Sequence, residues 1–314
     1  MTGPVARAVR FDRYGGREVL YVADIDMPSP GPGEVVMEVR AAGINPGEAG
    51  IRSGAMQEVF PVTFPSGEGS DLAGVVTAVG PGVTEFAIGD EVLGFSFRRS
   101  SHATHAAVPV DQLIRKPAQL SWEVAGSLYV VGATAYAAVR AVAPQAGETV
   151  AVSAAAGGVG SLVVQLLALR KATVLGIAGP DNADWLRAHG VTPIDYGDRL
   201  AERLHEAAPD GIDAFIDLFG PAYVQLAVDL GVPPERIDTI ISFEKAGEVG
   251  AKTEGSSEAS TREVLTEIAE LVATGAIDFD VAATFPLDQV AEAFEELEKR
   301  HTHGKIVLLP HGSS

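Results

Sequence analysis

The stretch with the clearest chemical potential is Thr149-Val-Ala-Val-Ser-Ala-Ala-Ala-Gly-Gly-Val-Gly160, which runs on into Ser161-Leu-Val-Val-Gln-Leu-Leu-Ala168. A β-branched run that turns tightly into an apolar helix offers backbone N–H groups at the helix N-terminus to a phosphate. The spacing Ala155-x-Gly157-x-x-Gly160 is a dinucleotide fingerprint with alanine at the first glycine. Gly157 would let a pyrophosphate approach the backbone, and Gly160 would let the helix pack closely on its strand. A Gly/Ala-rich turn between a buried strand and helix is the competing reading of the same residues. The other chemically capable side chains are sparse. His102 and His105 are three apart, a spacing that suits one helical face. Their segment reads as a loop leading into a strand with no third ligand nearby, so a solvated or substrate-side loop is expected. His301 and His303 are expected at the surface. No Ser-His-Asp set or carboxylate pair stands beside a credible nucleophile, which leaves hydrolase chemistry without support.

The elements that must position the glycine turn fall into two textures. Up to about residue 120 the chain carries short β-branched runs, among them Val35–Arg40, Gly74–Val79 and Glu91–Phe95. Pro/Gly clusters such as Pro28-Ser-Pro-Gly-Pro-Gly33 separate them, which predicts a compact barrel-like β domain. A capped helix start at Ser121 changes the pattern. From residue 149 strands alternate with helices, which predicts a parallel sheet wound on both faces with its ligands at the strand carboxyl ends. That rule places Ala155, Gly157, Gly158 and Val159, then Gly179, Phe219, Ser242 and Phe243, along one crevice. Residues 244–260 are polar and glycine-rich and are expected to be a flexible connection. A helix over Thr261–Ala273, a strand near 280–285, a helix over Leu287–Lys299 and a last strand over Gly304–Leu309 follow.

Composition narrows the classes. The 314 residues allow two domains, and 42 acidic against 23 basic residues give a formal charge of −19. Such a surface repels nucleic acid and anionic membranes, so neither is expected as a partner. With no cysteine, disulfides and cysteine-ligated metal are excluded. The apolar stretches near 124–143 and 159–169 are broken by Gly or Thr, and no secretion signal is visible, so a soluble cytoplasmic protein is expected.

Further motifs complete the pattern: Gly43-Ile-Asn-Pro-Gly-Glu48 with Ile51-Arg-Ser-Gly54, Gly69-Ser-Asp-Leu-Ala-Gly-Val-Val-Thr-Ala-Val-Gly80, Phe86–Gly94, Gly132-Ala-Thr-Ala135 and His303-Gly-Lys-Ile-Val-Leu308. In this order and spacing, with the glycine turn, the chain resembles the zinc-free branch of the medium-chain dehydrogenase/reductase superfamily, the quinone oxidoreductase (zeta-crystallin-like) group. The resemblance covers nearly the whole length. It implies an α/β protein with a GroES-like β-barrel catalytic domain over 1–126 with 275–314 and a Rossmann domain over 127–274. It also implies hydride transfer from NADPH to a quinone or an α,β-unsaturated carbonyl, with homodimers common in the group. A nucleotide-binding structural protein, RNA-binding protein or redox sensor of the same fold is the alternative from another class.

Where zinc-bearing relatives carry a cysteine and a histidine followed by glutamate, this chain has Asn45 and Ser70-Asp71, so no metal is expected. The resemblance implies Asn45 as a substrate-side amide donor and Thr134 near the nicotinamide. The competing readings are a turn residue before Pro46 and a small helix-packing residue. Arg52 is either a partner for a substrate anion or half of a surface salt bridge. Gly50 and Met56 replace aromatic residues of the quinone site in bacterial relatives, which predicts a wider pocket with Met56 at its edge and puts a quinone substrate in doubt. For the cofactor, no acid ends the second Rossmann strand (Gly176-Ile-Ala-Gly179), which leaves room for a 2′-phosphate. Tyr196 matches a tyrosine that contacts that phosphate in the resembled group. Asp181 would repel a phosphate and suits a ribose 2′-OH instead. NADP(H) is the favoured cofactor, and NAD remains open on Asp181.

Overall fold

The computed structural model describes residues 5–299 and 302–312, so His301 lies outside the described residues. The chain divides into two compact units, residues 1–130 with 261–276 and 280–314, and residues 131–260 with 277–279.

In the first unit the β-branched runs pair as antiparallel ladders. The long strand Glu34–Gly43 pairs with Asp71–Val79, His105–Pro109 and Lys305–Leu309, so chain segments distant in sequence meet along one strand. The strand Glu91–Phe95 joins Asp71–Val79 to Leu113–Arg115, and Val281–Pro286 runs parallel to Lys305–Leu309. Alternate side chains of these strands, including Val35, Val39, Leu72, Val92 and Leu113, form one core. The return strand brings Ile306 and Leu308 into a second core with Val9, Ile44 and Phe294. Pro46–Ser53 forms a helix that the turn-like Gly43-Ile-Asn-Pro-Gly motif does not announce. Its start is fixed by Pro46 at the first helical position and by Glu48, whose carboxylate accepts the Asn45 backbone N–H at 2.9 Å.

The helix Arg262–Ala273 was expected with the Rossmann domain but belongs to the first unit. Its Val264, Leu265, Ile268 and Ala269 stripe is buried against that unit, next to the strand Leu113–Arg115. Strand and helix alternation along the chain carries no information on which sheet a terminal helix covers. Residues 277–279 go to the second unit instead, because the Gln165 side chain bonds both the N–H and the C=O of Asp278, at 2.8 and 3.0 Å.

The second unit is a five-stranded parallel sheet in the order Thr192–Asp195, Thr173–Ala178, Thr149–Val152, Ala214–Asp217, Ile237–Thr239. Every carboxyl end therefore lies on one edge of the sheet. The segment 244–260 is not a flexible connection. It contains the helix Phe243–Val249 and a 3-10 turn over Ser256–Ala259, anchored by buried Ala246 and Ala259. Buried Asp238 accepts the Glu254 N–H at 2.8 Å, and Lys252 Nζ donates to the Ala141 carbonyl at 2.5 Å. Two small apolar anchors within a polar sequence are too weak a periodic signal to read.

Candidate functional site

The glycine turn starts from Ser153 at the end of Thr149–Val152 and passes through Ala154, which is held at φ +48°. Gly157 then caps the helix Gly158–Leu169. The first-turn N–H groups of Gly158, Val159 and Gly160 have no intrahelical carbonyl to bond, as in any helix. Gly160 is obligatory: a Cβ there would lie 2.1 Å from the Ala154 carbonyl oxygen and 2.8 Å from the Ala155 backbone. A Cβ at Gly157 would meet nothing closer than 3.4 Å, so packing does not demand this glycine. Ala155 is buried, and its methyl group lies 3.1 Å from where a Gly176 side chain would begin. The missing first glycine is accommodated by a glycine on the neighbouring strand.

The other expected residues on this edge divide by exposure. The Tyr196 ring, half exposed, lies 3.4 to 3.9 Å from the position a Gly179 Cβ would take. Phe219 and Phe243 are exposed, with Phe219 edge-on to Tyr223 at 5.7 Å, whereas Ser242 is buried. Burial, Asp217 and Tyr196 together push the Tyr223 phenol up from its ordinary pKa. Asp181 is exposed in the turn Pro180–Asn182. The arginines beyond it are engaged: Arg187 with Asp184, Arg199 with Glu202, and Arg203 with the carbonyls of Asp195 and Asp198.

In the first unit, Asn45 is buried with every polar end of its amide committed. Its Nδ2 donates to Glu48 Oε1 at 3.2 Å and to Asp71 Oδ2 at 3.0 Å, and its Oδ1 accepts from Lys305 Nζ at 2.6 Å. The expected substrate-side donor therefore has no hydrogen left to donate, and its role in this arrangement is structural. Lys305 Nζ also donates to the Ile44 carbonyl at 2.7 Å and lies 3.6 Å from Asp71 Oδ2. Burial raises the Asp71 carboxyl to about 6 although Lys305 opposes the shift, and burial lowers the Lys305 ammonium although Asp71 and Glu48 oppose it. Asp71 Oδ1 accepts the Val130 N–H at 2.7 Å.

Arg52, expected to face a substrate anion or the surface, does neither. It is fully buried, pairs with Glu68, donates to the Gly16 carbonyl and stacks 4.3 Å above the Phe294 ring. Gly50 and Met56, expected to widen the pocket, lie against each other. The Met56 sulfur lies 3.0 Å from where a Gly50 side chain would begin, so the thioether fills that space. Thr134 is buried in the helix Tyr129–Val142.

The histidines do not converge. His102 is buried against the Gly43 carbonyl at 3.1 Å, and burial lowers its pKa, whereas His105 stands on a strand with its ring 6.1 Å from His311. His303 pairs with Asp280 at 3.1 Å. Among the described residues no group of three His, Cys, Asp or Glu side chains is arranged to hold a metal ion. At Asn45, Ser70 and Asp71 the donor set does not fit zinc, because the amide and the carboxylate are bonded to each other and to Lys305. The hub of Asp71 and Lys305 escaped sequence reasoning, since nothing local links residues from opposite ends of the chain.

A nucleotide-type turn on the carboxyl edge of a parallel sheet, joined in one chain to a separate β unit, is the arrangement of the two-domain dinucleotide-binding folds. Comparison with known proteins agrees. Residues 31–117 match the family model for the alcohol dehydrogenase GroES-like domain, and residues 186–308 match that for zinc-binding dehydrogenases. The quinone oxidoreductase of Pseudomonas aeruginosa is 30% identical over 98% of this chain and 100% of its own length. The solved quinone oxidoreductase of Pseudomonas syringae superposes with a TM-score of 0.86 at 28% identity, covering 97% of this chain and 100% of the other. The Escherichia coli quinone oxidoreductase solved in complex with NADPH gives 0.81 at 26% identity, with the same coverage. The chain belongs to the medium-chain dehydrogenase/reductase superfamily, in its quinone oxidoreductase group. By that membership it is an oxidoreductase. No helix among the described residues is long and apolar enough to cross a membrane.

Proposed function

We propose that the protein is a zinc-independent reductase that transfers hydride from NADPH to a quinone or to the β-carbon of an α,β-unsaturated carbonyl. The observation that carries this reading is the glycine turn. Gly160 is forced by packing, whereas a Cβ at Gly157 would meet only an ordinary contact at 3.4 Å, so Gly157 is the glycine kept for the approach of a pyrophosphate. NADPH supplies the hydride when bound. The chain binds and orients it through the first-turn N–H groups of Gly158–Gly160, and Tyr196 and Gly179 lie along the ribose end of the same edge. Reduction of the acceptor adds one hydride and one proton, and the oxyanion formed between the two needs a donor. Thr134 is the side chain proposed beside the nicotinamide, on its match to Gly132-Ala-Thr-Ala135. Zinc independence is supported by the engagement of Asn45 and Asp71 with Lys305, which leaves neither as a ligand.

NADPH is preferred to NADH in this proposal because no acid ends the second strand and Tyr196 flanks Gly179. Asp181 works against the 2′-phosphate and suits a free 2′-OH, so Asp181→Lys is expected to raise kcat/KM for NADPH and to lower that for NADH. The test is steady-state oxidation of NADPH and NADH with 1,4-benzoquinone and with an open-chain enone, on wild type and Asp181→Lys. A second reading, a nucleotide-binding protein without turnover, has one observation behind it: Asn45 has no free amide hydrogen for an oxyanion. Tight NADPH binding with neither acceptor reduced would establish it.

A further inference from the structure

The strand Ala214–Asp217 ends in a fully buried carboxylate to which the expected chemistry assigns nothing. Asp217 Oδ1 accepts from Ser153 Oγ at 2.9 Å and from the backbone N–H groups of Phe219 and Gly220 at 3.0 Å each. Its Oδ2 accepts from Thr239 Oγ1 at 2.7 Å and from Ser242 Oγ at 2.9 Å. All of these partners are neutral. Two of the hydroxyls extend the connection: Ser153 Oγ accepts the Leu218 N–H at 2.8 Å, and Thr239 Oγ1 accepts the Ser242 N–H at 3.0 Å. One side chain thus ties together the residue that enters the glycine turn, the loop after Ala214–Asp217 and the loop after Ile237–Thr239.

A buried carboxylate without a cation is costly unless donors surround it, and an apolar side chain would fill the same space without that cost. Ser242 precedes the helix Phe243–Val249 without a side-chain cap bond, and its hydroxyl donates to Asp217. Those loops carry exposed Phe219 and Phe243 on the edge where the cofactor is proposed to lie.

We propose that Asp217 is a positioning residue for the dinucleotide. It locks three edge loops into one preorganised surface, so that the cofactor binds without ordering them. The inference rests on the nicotinamide-dinucleotide reading above. The substitution Asp217→Asn keeps the shape and replaces one acceptor with a donor; the Ser242 hydroxyl can meet it by rotating, whereas Thr239 Oγ1 already accepts the Ile241 and Ser242 N–H groups and loses its bond. NADPH titration by fluorescence is expected to show Kd and KM raised about tenfold in the variant, the loss of roughly one good hydrogen bond, with kcat within about twofold of wild type. Hydrogen exchange without cofactor is expected to accelerate selectively at the amides of Phe219, Gly220 and Ser242. Wild-type Kd in folded Asp217→Asn overturns the proposal, and so does faster exchange spread evenly over the sheet. If Asp217→Asn does not fold, Ser242→Ala and Thr239→Val replace it, each expected to raise Kd about threefold. Unchanged Kd in both overturns the proposal. Failure of the wild type to bind any nicotinamide nucleotide would count against the proposed function instead, and the exchange measurement still decides the role of Asp217.

Discussion

Gly157 and Gly160 make a matched pair at the residue scale, because the same substitution should act through different physics. Gly160→Ala drives a Cβ to 2.1 Å from the Ala154 carbonyl, so the helix Gly158–Leu169 must shift from its strand. Denaturant unfolding should show a loss of about 1–3 kcal/mol, the usual cost of overpacking, and NADPH affinity should fall with it. Gly157→Ala meets only an ordinary contact at 3.4 Å, so its unfolding midpoint should match wild type while NADPH Kd rises. The glycine spacing was legible because it is local and its physics is steric. The engagement of Asn45 was not legible. Its partners Asp71 and Lys305 come from other strands, and no local pattern reports that an amide already has both hydrogens bonded. The same holds for Arg52, whose burial under Phe294 depends on a helix near the other end of the chain.

The return strand Lys305–Leu309 is the element that fixes the first unit's polar hub, since its Lys305 is the cation facing Asn45 and Asp71. Burial holds the Asp71 carboxyl at about 6, above its ordinary 3.8. Between those values the unfolded chain has released the proton and the folded chain has kept it, so this group's contribution to stability falls as pH rises through that window and is level above it. Lys305→Met removes the opposing cation, pushes Asp71 higher and extends the loss to higher pH. Urea unfolding of this variant should show a cost of about 3–5 kcal/mol at about pH 8, narrowing toward about pH 4.5, where folded Asp71 is protonated with or without Lys305. An equal cost at both values would remove Asp71 from the account. At this scale the β runs and the strand–helix alternation were readable as periodicity. The side on which Arg262–Ala273 packs and the order within 244–260 were not, because both depend on tertiary partners of short apolar stripes.

Charge is a property of the whole molecule, and at −19 the chain repels NADPH at long range. Raising salt screens that repulsion, so the stopped-flow association rate should increase with ionic strength over the range where the Debye length shrinks from about 30 to 10 Å. A falling rate would mean that a local positive field steers the cofactor. Charge, the lack of cysteine and the order of motifs together made the class readable from the sequence, whereas the identity of the acceptor has no signature in either sequence or fold. The central claim is tested most directly by reduced-nicotinamide oxidation with 1,4-benzoquinone and an open-chain enone, after exhaustive dialysis against EDTA. The account predicts that turnover survives the dialysis with at least one acceptor, with a higher kcat/KM for NADPH than for NADH. Oxidation of neither nucleotide, or activity that returns only on addition of zinc, would contradict it.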